Sequence, residues 1–261
     1  MIASLLLLSN FKSIHDEIQA PTLTGFKSGA RKVKVNPENG GYQVFQIDGQ
    51  LKVLTRVEWV KWDHSQRPNK YPRGTIKVIE PQAYREYLVP GGGMKFQGGR
   101  LYTIDNGEWG GGIYFVPSDR NSYKRISERN TCAIGAFGNE VYAFQSLAHM
   151  MFSYADLVQI KHNNSKWQIQ TVKRFTSAPR QVDRDGNHFV LLNHDDVVAL
   201  WPDGKQNQIL DVKAAGENFW CMTILANGQI WLGSDSGVTA LVPKSDGTYK
   251  SFSYIPRSSK N

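Results

Sequence analysis

Residues 187–201 read Asn187-His188-Phe189-Val190-Leu191-Leu192-Asn193-His194-Asp195-Asp196-Val197-Val198-Ala199-Leu200-Trp201. A turn opens the stretch, a short apolar run follows, four polar residues reverse the chain, and a second apolar run leads into Pro202-Asp203-Gly204. Short apolar runs punctuated by Gly, Asn and Asp are the signature of antiparallel strands. Working outward, the same turn-then-strand unit recurs at Gly99-Arg100-Leu101-Tyr102-Thr103-Ile104, at Asn139-Glu140-Val141-Tyr142-Ala143-Phe144 and at Gly228-Gln229-Ile230-Trp231-Leu232. A weaker copy is Asp48-Gly49-Gln50-Leu51-Lys52-Val53-Leu54. With Leu51, Leu101, Val141, Phe189 and Ile230 taken as equivalent, the spacings are 50, 40, 48 and 41 residues. A period of about 40–50 residues is that of a four-stranded β-propeller blade.

The remainder of each period agrees. A second apolar strand follows at Gly112–Val116, Asp156–Ile160, Asp196–Trp201 and Gly237–Val242. A more polar strand closes the unit at Tyr123–Ile126, Trp167–Val172, Gln208–Val212 and Tyr249–Tyr254. Stacking such sheets in a ring buries both faces of each, which a two-layer sandwich does not. The sequence therefore predicts an all-β protein: a single β-propeller of four-stranded antiparallel blades over 26–261, preceded by an N-terminal segment, 1–25. The competing possibility is an irregular all-β domain with chance periodicity. Five marked strands predict five blades, and the poorly patterned stretch 55–90 leaves room for insertions or a sixth. In this reading the N-terminal segment 26–46, with Val33–Val35 and Tyr42–Phe45, supplies an extra strand or closes the ring.

Asn227-Gly228-Gln229-Ile230-Trp231-Leu232-Gly233-Ser234-Asp235-Ser236-Gly237-Val238 resembles the propeller repeat of two-component regulator sensors, which run Gly-x-apolar-Trp-apolar-Gly-Ser/Thr-x-x-Gly-apolar. Gly107-Glu108-Trp109-Gly110-Gly111-Gly112-Ile113-Tyr114 looks like a divergent relative with its Trp displaced into the turn. The resemblance covers about a dozen residues, and implies a propeller and a binding role. It carries over no functional residue, and this chain contains no kinase half.

Composition bounds what such a fold can do. The 261 residues are 40% hydrophobic, 21% charged and 11% aromatic, which suits a packed core and excludes disordered, collagenous and membrane-bundle classes. The net charge of +8 is unevenly spread: residues 1–100 hold 15 of the 31 basic and 8 of the 23 acidic side chains. It concentrates at Lys27, Arg31, Lys32 and Lys34 and again from Arg67 to Lys77. No basic run alternates with stacking aromatics as a single-strand nucleic-acid site requires, so the excess reads as a solvated face or an acidic protein partner. Cys132 and Cys221 each lie nine residues before a marked strand position and belong to separate units, which predicts two buried free thiols. Met1–Leu8 has the apolar character of a signal core without its basic flank or cleavage site, so it reads as an incomplete export signal or a short strand, and compartment stays open.

Chemistry is expected on the rim where the turns 105–112, 145–155 and 193–196 emerge together with the connections between units, Gly91–Gly93 and Arg129–Asn130 among them. Candidate binding residues there are Glu108, Trp109, His149, Met150, Met151, Phe152, Tyr154, His194 and Asp195. The segment 145–155 reads as a lengthened connection or a short helix, and its methionines and aromatics suit an adaptable contact surface. Asn193–Asp196 offers oxygen and imidazole groups, but adjacent turn residues point apart, so turn chemistry is preferred to a metal site. With no HExxH, GxSxG, P-loop or GxGxxG motif, no catalytic residue, metal or cofactor is assigned. The functional expectation is a non-enzymatic protein-binding propeller of inhibitor, immunity or adaptor type. The alternative is a carbohydrate or small-molecule site at the channel mouth, lectin-like or that of a hydrolase or lyase, using Trp109, Tyr154 and Trp201 as platforms.

Overall fold

A computed structural model describes residues 26–28, 41–47, 50–58, 61, 75–80, 83–88, 94–105, 107, 110–119, 123–149, 152–164 and 166–256. Three consecutive stretches each form a four-stranded antiparallel sheet whose strands lie side by side in chain order. The first sheet contains β6 (Met94–Phe96), β7 (Gly99–Asp105), β8 (Gly111–Pro117) and β9 (Lys124–Ser127). The second contains β10 (Thr131–Phe137), β11 (Glu140–His149), β12 (Phe152–Asn163) and β13 (Lys166–Phe175). The third contains β14 (Gln181–Asp185), β15 (His188–Leu192), β16 (Asp196–Leu200) and β17 (Gln206–Asp211).

The last sheet has β18 (Phe219–Ile224), β19 (Ile230–Ser234), β20 (Val238–Pro243) and β21 (Tyr249–Pro256), with a fifth strand added at its outer edge. That strand is β1 (Phe26–Ser28), which pairs antiparallel to β21 with Phe26 opposite Pro256 and Ser28 opposite Tyr254. The segment 26–46 thus does supply an extra strand, at its first residues. Two hairpins complete the strand set: β2 (Tyr42–Ile47) with β3 (Gln50–Thr55), and β4 (Thr75–Glu80) with β5 (Ala83–Leu88). The second hairpin lies within the stretch the sequence left unpatterned.

Four of the five marked positions fall in one register, while the fifth, Leu51, pairs with Gln46 in the two-stranded β2–β3 hairpin and is half-buried. Leu101 pairs with Phe115, Val141 with Ile160, Phe189 with Leu200 and Ile230 with Leu241. Leu101, Val141, Phe189 and Ile230 are all buried. Strand β15 shows why these strands are apolar on both faces instead of alternating. Phe189 and Leu191 pack against Tyr142, Phe144 and Leu157 of the preceding sheet, while Val190 and Leu192 pack against Phe219, Met222 and Ile230 of the following one. Successive side chains of a strand point to opposite faces, so a sheet covered on both sides must be apolar at every position. Leu101 and Ile113 meet Val141, Ala143 and Val158 in the same manner, and Val44 of β2 meets Cys221, Trp231 and Val238. The core is therefore a series of face-to-face interfaces, between sheets consecutive in the chain from β6–β9 to β18–β21 and between that last sheet and the N-terminal β2–β3 hairpin.

Close approach at the last of these interfaces requires glycine. A Cβ on Gly233 would sit 2.2 Å from the Tyr42 carbonyl oxygen and 2.5 Å from Cys221 Sγ. Both cysteines are free, Cys221 fully buried and Cys132 partly so. Burial pushes both thiols up to about 11, which keeps them protonated at neutral pH. Cys132 Sγ–H donates to the Phe144 carbonyl at 3.4 Å and Cys221 Sγ lies 3.3 Å from the Val44 amide, so each acts as a small packed group. Among the described residues, no helix is long and apolar enough to cross a membrane. Val33–Val35, Gly91–Gly93 and the N-terminal segment 1–25 lie outside them.

Candidate functional site

The regular series is broken at one hairpin. Strands β7 and β8 have 7 residues each, β15 and β16 have 5 each, and β19 and β20 have 5 and 6, whereas β11 and β12 have 10 and 12. The additional length extends the ladder through Ser146–Ala155, Leu147–Tyr154, Ala148–Ser153 and His149–Phe152. The segment expected as a long connection or short helix is thus an extended two-stranded ribbon. Leu147 and Ala148 favour helix by propensity, but pairing with Tyr154 and Ser153 satisfies their backbone in β geometry, and tertiary pairing overrides so weak a preference. The flanking strands stop short of the ribbon: β10 reaches only Gln145, and β13 only Ala155. The ribbon is tied to its surroundings at the base by the Ser146 amide donating to the Asn130 carbonyl (3.1 Å), and nearer its end by the Ala178 amide donating to Ser153 Oγ (2.8 Å). His149 and Phe152 are placed here by their backbone, while Met150 and Met151 at the tip lie outside the described residues.

Along β12, Tyr154 and Asp156 share the face that Val158 and Ile160 present to the β6–β9 sheet, so the apolar interface continues upward as a polar ledge. Asp156 is 4% exposed, although it carries a carboxylate. It accepts an ion-paired hydrogen bond from Arg129 Nη1, and Arg174 Nε lies 4.0 Å from its other oxygen. Arg174 stands directly opposite Asp156 in the β12–β13 register. The Arg129 guanidinium also lies over the Tyr154 ring, 4.1 Å from its centroid. One buried carboxylate therefore holds two guanidiniums, one of them stacked on an aromatic face, a cation–π arrangement. Arg174 remains 80% exposed along its side chain, and Arg129 43%.

The residue after Arg129 ties the ledge to the neighbouring sheet. Asn130 is buried, and its Nδ2–H donates to the Gly107 carbonyl in the β7–β8 turn. Gly111 at the far side of that turn leaves room for it, since a Cβ there would lie 2.2 Å from Asn130 Oδ1. Gln145, also buried, donates from Nε2 to Ser127 Oγ at 2.7 Å. The turn 105–112 and the ribbon 145–155, both marked on the sequence, are thus joined through Arg129 and Asn130. Glu108 and Trp109 of that turn lie outside the described residues.

His194 and Asp195 stand apart, on the β15–β16 turn of the next sheet. Asn193 and Asp196 close this turn, with the Asn193 amide donating to the Asp196 carbonyl (2.9 Å) and Asn193 Nδ2–H donating to Asp196 Oδ1 (2.7 Å). His194 Nδ1 is 2.7 Å from Asp195 Oδ1, and Lys213 Nζ is 2.6 Å from Asp195 Oδ2. All three side chains are at least half exposed. The Lys213 ammonium foremost, then His194, holds the Asp195 carboxyl below its ordinary value. Among the described residues no group of three or more His, Cys, Asp or Glu side chains is arranged to hold a metal. Asn193 and Asp196 thus close the turn, and His194, Asp195 and Lys213 form an exposed ion-paired cluster on it.

No protein-family model matches the chain, and no curated protein matches it. Arg174 was not singled out from the sequence, and Asp156 was read only as the start of a strand. The available signal was parity: Tyr154 and Asp156 are in phase with Val158 and Ile160, so a strand begun two residues earlier places a carboxylate on an otherwise apolar face. An Asp at a strand boundary more often marks a turn, which concealed it.

Proposed function

We propose that the chain is a non-enzymatic, protein-binding β-propeller of inhibitor, immunity or adaptor type, docking its partner through the rim that carries the β11–β12 ribbon. The propeller reading is supported by the consecutive face-to-face sheets and the shared register of Leu101, Val141, Phe189 and Ile230. Four sheets of four or five strands, with β2–β3 and β4–β5 taken as the strands of one further unit, make five blades. The same unit split into two makes six.

The observation that carries the docking function is the ribbon itself. It departs from the repeat by lengthening a connection that the fold needs only a few residues to make, and it presents strand edges beyond the reach of β10 and β13. Unpaired edges offer backbone donors and acceptors to a second chain. The adjoining Tyr154 and Arg129 belong to the residue types that anchor protein interfaces.

The test is capture from the native organism's lysate by the purified chain and by a Met150→Ser, Met151→Ser, Phe152→Ser variant, with circular dichroism establishing that the variant is folded. The expected result is one stoichiometric protein partner retained by the parent chain and lost by the variant. Equal retention by both, or no stoichiometric protein, overturns docking through the ribbon.

A further inference from the structure

The charge arrangement at the base of the ribbon is asymmetric. Among the described residues, Asp156, buried and fixed by the strand register, is the one carboxylate ion-paired with both Arg129 and Arg174. At 4.0 Å the Arg174 contact is an ion pair too long for a hydrogen bond, so its forked donors are not spent on Asp156. Arg129 gives Asp156 one N–H and sits over the Tyr154 ring, two contacts that hold the guanidinium while part of its side chain faces solvent. Two cations thus share one anion, so the set Arg129–Asp156–Arg174 carries one positive charge in excess. Planar guanidiniums held in place are suited to carboxylates, which they bind with two parallel hydrogen bonds.

Resting on the docking reading above, we propose that the partner segment seated against the ribbon is acidic, and that one of its side-chain carboxylates bridges Arg174 and Arg129 over Tyr154. The carboxylate completes the set Arg129–Asp156–Arg174 so that each cation faces an anion. Tyr154 forms the apolar side of the seat, and Asp156 acts as a positioning residue that never meets the ligand. This places the determinant for an acidic partner on the second sheet of the series, instead of among the basic residues of the first hundred.

The probe is N-acetylated, C-amidated hexaglutamate, titrated into the full chain at low ionic strength and followed by the NMR signals of the Arg129 Nε–H and the Tyr154 ring. Saturable shifts at both residues are expected, with none from hexalysine. Arg174→Gln should weaken binding about three- to tenfold. Lys166→Gln, which removes an exposed charge at the other end of the same strand pair, should leave it unchanged. Arg129→Lys, which keeps a cation beside Asp156 and therefore the fold, should weaken binding by a similar factor through loss of the planar fork. Absence of binding, or an equal loss in Arg174→Gln and Lys166→Gln, overturns the acidic-segment proposal. If that happens while the Met150, Met151, Phe152 variant still loses its captured partner, docking through the ribbon stands alone. If hexaglutamate binds as expected but capture ignores the ribbon, the docking reading falls, and with it the claim that the acidic segment belongs to a docked protein.

Discussion

The sheets β10–β13 and β14–β17 are adjacent, share a strand order and face each other across one interface, yet they end differently at the rim. In the β14–β17 sheet, β15 turns into β16 through two residues, with Asn193 and Asp196 closing the reversal by two hydrogen bonds. In the β10–β13 sheet, the equivalent pair runs on for four further cross-strand positions and carries a buried carboxylate with two arginines at its base. Below the rim the two are interchangeable in kind: Val141 and Phe189 occupy the same register, and both sheets are apolar where they meet. The repeat preserves what the interface needs and leaves the turn free. A departure from the repeat at a turn is therefore better evidence of function than the residue types found in a turn that keeps to it.

The sharpest way to break this comparison is through the interface that the two sheets share. Phe189 is fully buried against Phe144, Leu157 and the Phe137 ring, whose centroid is 5.1 Å away. Phe189→Ala should destabilise the chain by about 3–5 kcal/mol, read from the midpoint of urea denaturation, and loss of less than about 1 kcal/mol would contradict a core made of these interfaces. Next comes the ledge. Arg129→Ala strands the buried Asp156 carboxylate with only the more distant Arg174, and should cost about 2–3 kcal/mol. Asp156→Asn together with Arg129→Ala should recover part of that loss, because no charge is then left unpaired.

The β14–β17 sheet makes a prediction about pH. His188 stacks on Trp201 with ring centroids 5.1 Å apart, and its Nε2 is buried with Asp185 Oδ2 3.9 Å away, too far for a hydrogen bond. Burial pulls its pKa below the usual 6.5, against a smaller opposing pull from Asp185. Between that lowered value and 6.5 the unfolded chain binds more protons than the folded one, so stability is fully present above pH 6.5 and declines as the pH falls below it. The slope from this one group cannot exceed about 1.4 kcal/mol per pH unit. His188→Gln should remove that component from a series of denaturation curves between pH 5 and 8, and an unchanged slope would show that His188 does not contribute.

Smaller effects distinguish the two rims. Asn193→Ala removes the side-chain bond that closes the β15–β16 turn and should cost about 1 kcal/mol in thermal or urea unfolding. His194→Ala should change stability by less than about 0.5 kcal/mol, since both members of its pair with Asp195 are well exposed. A larger effect at His194 than at Asn193 would mean that this turn carries more than chain reversal.

What could be read from the amino-acid order alone was the repeat. Turn residues and two-sided apolar strands are local properties, so the strands around Leu101, Val141, Phe189 and Ile230, and the free thiols nine residues before two of them, were legible without coordinates. Residues 55–90 were not, because the β4–β5 hairpin lies in a stretch without the apolar continuity that marks the other strands. The ledge was legible only in fragments: Tyr154 and the Arg129–Asn130 connection were visible, whereas Arg174 and the role of Asp156 were not. A charged pair across two strands depends on register, and a Met- and Ala-rich segment becomes strand or helix according to what it pairs with. Cross-strand partners are set by contacts distant in the chain, so the tertiary structure decided that 145–155 is a ribbon, that Asp156 is buried, and that two arginines converge on it.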